Sequence, residues 1–124
     1  RMWANRFARS YCDVSAWAEE LRRHDLAIGA RYHGTALALQ TEVMGCTVTI
    51  DSRTEEMCRE TGVPFVRADE FRAPITRRAL KEDIVRFDAD AYDALRKSKC
   101  ARYVAFAEGC GLEVADYLRV IAGA

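Results

Sequence analysis

Between Asp25 and Val66 three short apolar runs alternate with two segments of helical character, and only a few residues connect one to the next. Leu26 to Ala30 is the first run, followed beyond a polar corner by an Ala/Leu-rich helix from about Thr35 to Met44, with Gly45 as its stop. Cys46-Thr47-Val48-Thr49-Ile50 is β-branched and bounded by Gly45 and Asp51, so it reads as the second strand. Ser52 with Glu55 three residues on makes a capping box for a short helix, whose stripe of Thr54, Met57, Cys58 and Thr61 faces the core and which ends at Gly62. Val63-Pro64-Phe65-Val66 is the third strand, with its proline admissible only at the beginning or on an edge. Strand–helix–strand–helix–strand with short connections amounts to two successive βαβ crossovers, which wind right-handed and leave the strands parallel. The pattern predicts an α/β chain: a three-layer, Rossmann-like parallel sheet over 25–72, a helical lead-in over 1–24 and C-terminal helices over 73–124.

In the lead-in, Trp3, Phe7 and Tyr11 recur four apart along one helix face. Asp13 then caps a helix with Val14, Trp17, Ala18 and Leu21 at core spacing, and Arg22, Arg23 and His24 close its last turn. Beyond Pro74 only helices are expected, with Thr76 and Asp88 as caps. The longest, from about Ala89 to Cys110, places Tyr92, Leu95, Tyr103 and Phe106 on one side and a solvated face of Arg96, Lys97, Lys99 and Arg102 on another. Gly109 and Gly111 separate it from a last helix holding Val114, Tyr117, Leu118 and Ile121. A sheet of three strands has two bare edges, so further strands are expected upstream in a parent protein. A start at Arg1, almost directly in a helical pattern, fits an excised C-terminal part of a larger two-domain chain.

The 124 residues suffice for one core, and 19 basic side chains balance 19 acidic ones. No global field therefore attracts nucleic acid or an anionic membrane, and any anion must be held locally. The longest apolar run falls far short of the roughly 20 residues a span needs, which places the chain in the cytoplasm. Five cysteines without a C-x-x-C pair or zinc spacing are plain thiols in a reducing compartment, and no metal or cofactor is expected.

The chemistry gathers at Arg31 and His33, between the first strand and its helix. In a parallel sheet that corner lies at the carboxyl edge, where a helix presents unpaired N–H groups, so a cation, an imidazole and a helix N-terminus meet at a place suited to an anion. Taken alone, an arginine and a histidine at a strand end are more often structural than catalytic. Tyr32 between them is expected to point into the core, and His24 to lie on the surface.

D-L-A-I-G-A-R-Y-H-G from Asp25, T-V-T-I-D-S-R from Thr47, E-E-M-C-R-E-T-G-V-P from Glu55 and A-R-Y-V-A-F-A-E-G-C-G-L from Ala101 together resemble the carboxyl half of the polysaccharide pyruvyl transferase family. R-x-H-G between strand and helix is the most specific part. The resemblance implies a second domain like that of GT-B glycosyltransferases, and transfer of a pyruvyl group from phosphoenolpyruvate to two sugar hydroxyls, forming a ketal on a cell-surface polysaccharide. Cys46-Thr47 stand where a proline is common, and Arg53 where many members have lysine, which keeps the charge and changes its geometry.

In that setting Arg31 is the bidentate anchor for the donor's phosphate or carboxylate, and His33 is the general acid or a phosphate ligand. Backbone N–H groups of Gly34 and Thr35 complete the cradle. Asp51 and Arg53, on the same rim, either close the substrate pocket or serve as an ion pair or cap. Glu55 and Glu56 read as the capping box and a solvated carboxylate. The partners implied are the donor, a saccharide acceptor and the first domain of the parent chain, with no nucleic acid and no membrane span. Two other readings stay open: a GT-B glycosyltransferase domain holding a nucleotide-sugar, with Asp51 or Glu55 near the ribose, and a non-catalytic module whose late helices dock on a partner.

Overall fold

A computed structural model describes residues 8–70 and 87–123. They form a mixed α/β fold: α1 (Val14–Leu21), β1 (Leu26–Gly29), α2 (Tyr32–Gln40), β2 (Met44–Thr49), α3 (Ser52–Thr61), β3 (Phe65–Arg67), α4 (Ala89–Gly109) and α5 (Asp116–Ala122). The strands lie in the order β1-β2-β3, both pairs parallel. Gly29 pairs with Thr47, and Thr47 with Phe65, so the three carboxyl ends share one edge. No described helix is long and apolar enough to cross a membrane.

Side-chain alternation assigns the faces. Thr47 meets Thr35 of α2, while Phe65, its partner in β3, lies beneath the Arg59 guanidinium of α3. Both crossover helices therefore cover the same face, so the described residues display two of the three expected layers, the sheet and its α2–α3 cover. Leu26, Ile28, Met44, Cys46, Val48 and Val66 belong to the opposite face. Trp3, Phe7, Pro74 and Thr76 lie outside the described residues, and positions 8–13 contain no helix.

The expected stop at Gly45 is not a stop. Helix α2 ends at Gln40, and the chain turns through Glu42 at φ 63°, with the Val43 N–H donating to the Ala38 carbonyl at 2.9 Å. A glutamate in the left-handed region is uncommon, which is why the turn leaves no glycine signature. Gly45 instead sits inside β2, where a Cβ would come within 2.4 Å of the Thr35 carbonyl oxygen. The glycine lets α2 lie almost directly on the strand. Likewise α3 is capped by Asp51 rather than Ser52: the Asp51 carboxylate accepts the Thr54 N–H at 2.7 Å, and Glu55 pairs with Arg59 instead of closing a box. Pro64 precedes β3, and its carbonyl accepts the Thr47 N–H at 2.8 Å.

The C-terminal helices form an antiparallel hairpin around Val104, Ala107 and Val114, with Leu118 and Ala122 against them. Asp88 caps α4 by accepting the Ala91 N–H at 2.9 Å. The expected aromatic stripe divides: Tyr92 and Leu95 pack over Gly62 at the end of α3, whereas Tyr103 and Phe106 are 56% and 68% exposed. Lys99 reaches Glu60 of α3, which ties the hairpin to the sheet layer. In α1, Asp13 caps as expected, but Val14 is exposed and the packing falls to Trp17, Ala18 and Leu21.

Replacing Gly45 with alanine should lower unfolding free energy by about 2 kcal/mol, because the new methyl meets backbone that cannot yield without moving α2. Gly109→Ala, where a Cβ has nothing within 4 Å, should instead stabilise by up to about 1 kcal/mol. Urea denaturation of both variants measures the contrast.

Candidate functional site on the carboxyl edge of the sheet

Arg31 leaves β1 in extended geometry (φ −109°, ψ 112°) and occupies the cap position of α2. Its side chain is exposed and makes no hydrogen bond or ion pair among the described residues. His33 is exposed on the first turn, its ring edge-on to Tyr32 with centroids 5.5 Å apart. Helix geometry leaves the amides of Tyr32 and His33 without an intrahelical acceptor, so the electropositive end of α2 opens beside the guanidinium.

Because α2 begins three residues earlier than the sequence indicates, the expected cradle changes composition. The Gly34 N–H donates to the Arg31 carbonyl at 3.2 Å. Gly34 is a packing residue: a Cβ there would stand 3.2 Å from Cζ2 of Trp17, so its absence seats α1 on α2. Thr35 is buried, and its hydroxyl donates to the Tyr32 carbonyl at 2.9 Å. That hydroxyl also lies 2.5 Å from Thr47 Oγ1, and with its own proton already given, it is the acceptor there. Gly34 and Thr35 thus build the platform that holds Arg31, and their polar groups are spent on it.

Two cavities reach this edge. One of about 540 Å³ runs along the whole of β1, from His24 at its start to Arg31 beyond its end, against Trp17, Leu21 and Gly34, and is largely apolar. The other, about 450 Å³, lies at the ends of β2 and β3 and is lined by Asp51, Ser52, Glu55, Arg67 and Asp69. Among the described residues His33 and Arg53 line neither, so the edge brings Arg31 and His33 to adjacent exposed positions without enclosing both in one cleft. His24 lies at the surface as expected, where it approaches Glu20 at 3.7 Å.

Arg67 and Asp69 escaped the sequence reading. Arg67 grips Asp69 through two hydrogen bonds, of 3.1 and 2.8 Å, and this contact holds the Asp69 carboxyl below its usual range. Their signal was positional, since Arg67 follows the third apolar run as Arg31 and Asp51 follow the first two. The thiols offer no nucleophile here: burial, with Cys58 nearby, pushes Cys46 up to about 11, and burial also raises Cys58. The described residues contain no group of three or more His, Cys, Asp or Glu able to hold a metal.

The Thr54 N–H lowers the Asp51 carboxyl below its ordinary value. A depressed folded-state value means that Asp51 contributes stability in full above its unfolded pKa, about 4, and loses it as pH falls through the folded value. Asp51→Ala should therefore lower the Tm at pH 7 and narrow its gap to the parent below about pH 4. Thermal scans across that range check this.

No protein-family model, curated protein sequence or solved structure matches the chain.

Proposed function

We propose that the chain is the donor-binding part of a transferase of the polysaccharide pyruvyl transferase type, within the second domain of a GT-B-like enzyme acting in the cytoplasm on phosphoenolpyruvate. The observation that carries this reading is Arg31. Among the described residues it is a guanidinium without a partner, at the carboxyl end of a parallel strand and the start of a helix, lining a cavity. A planar fork beside unpaired amides at such a place suits a phosphate or carboxylate.

Pyruvyl transfer adds a proton at the methylene carbon of the enol phosphate, joins two sugar oxygens to the adjacent carbon as they lose their protons, and releases phosphate. Arg31 holds one anionic group of the donor and balances charge on the departing phosphate. His33, one residue into the helix, supplies the proton or ligates the phosphate. The acceptor sugar meets this edge from the first domain.

Titration calorimetry of the chain with phosphoenolpyruvate should show saturable binding, and Arg31→Ala should weaken it by about 10- to 100-fold, the worth of a charge-assisted bidentate contact. His33→Gln separates the two roles, since loss of a ligand weakens binding and loss of an acid does not. Saturable binding of a nucleotide-sugar with none of phosphoenolpyruvate would favour the glycosyltransferase reading.

A further inference from the structure

Among the described strands the sheet ends at β1. Among the described residues Leu26-Ala27-Ile28-Gly29 pairs only with β2, so its outward N–H and C=O groups face away from the sheet. Natural edge strands are blunted by shortness, lysine, proline, bulges or inward charges; this four-residue segment is short and carries none of the others. Beside it lies the 540 Å³ cavity, walled by Trp17 and Leu21, with Ile28 37% exposed. Asp25 precedes the strand and Arg31 follows it, both exposed, and neither side chain has a hydrogen bond or ion pair among the described residues.

We propose that the edge of β1 is a self-association surface, on which two copies pair their β1 strands antiparallel about a two-fold axis passing between the two Ile28 residues. In that register Leu26 opposes Ala30 of the second copy, Ala27 opposes Gly29, and Asp25 opposes Arg31 at both ends. An acid at one end of a strand and a base at the other is the pattern that an antiparallel copy of the same strand satisfies twice. Parallel pairing in register would set like charges against each other. The small residues Ala27, Gly29 and Ala30 admit close backbone approach, and the apolar trough receives surface from the second copy. The result is one continuous six-stranded sheet, three strands from each copy. This inference does not rest on pyruvyl transfer. Arg31 serves one partner at a time, and an oxyanion bound there displaces the Asp25 carboxylate of the second copy.

Sedimentation of the chain from about 10 µM to about 0.5 mM should show reversible dimerisation. Reversing one charge, D25R or R31D, should raise the dissociation constant at least about tenfold by creating two like-charge contacts, and combining the reversals should restore it to within about threefold. A monomer throughout the range, or a double variant no better than the singles, overturns the proposal. Hydrogen exchange on the unaltered chain decides the matter even where a variant fails to fold. The outward β1 amides should exchange more slowly as concentration rises, and exchange independent of concentration overturns the pairing.

Discussion

The close seating of α2 on β2 sets the geometry of everything around it. Gly45 has no side chain, the Thr35 carbonyl fills the space where one would be, and the Thr35 and Thr47 hydroxyls meet across the gap. A buried hydroxyl pair of this kind contributes about 1 kcal/mol, but leaving either partner unpaired costs more, so the register of helix on strand is well defined. With α2 placed, its first turn projects Arg31 and His33 at the carboxyl edge, and Gly34 offers the surface on which Trp17 brings in α1.

The core reflects this economy of distance. Among the described residues the largest fully buried side chains are Thr47, Cys46 and Cys58, and the rest of the interior is Ala, Val, Gly, Pro64 and further threonines. Small side chains bring backbones close, and their hydroxyls then require partners, which they find: among the described residues no buried side-chain nitrogen or oxygen lacks one. The larger apolar residues go elsewhere. Ile50, Phe106, Tyr117 and Val120 are each more than 60% exposed.

The carboxyl edge combines two electrostatic regimes. Among the described residues the guanidinium at β1 has no partner and sits beside helix amides without an intrahelical acceptor, whereas at β2 and β3 the carboxylates are already engaged, Asp51 by the Thr54 amide and Asp69 by Arg67. The position of Arg31 was legible because it follows an apolar run directly and a helical segment begins immediately after. The division of labour among its neighbours was not. Gly34 and Thr35 read as a phosphate cradle when the helix is started at Thr35, and become packing residues when it starts at Tyr32, since a three-residue shift changes which amides are spent.

Local pattern by itself determined the alternation of strands and helices, the parallel pairing and the caps at Asp13 and Asp88, because each depends on the period of apolar residues or on one side chain near its own backbone. Tertiary structure alone decided that Gly45 lies within a strand, and that the aromatic stripe of α4 is covered over Tyr92 and Leu95 and bare over Tyr103 and Phe106. In each case the deciding quantity is the distance between elements far apart along the chain, and that distance follows from how closely whole helices can approach a sheet.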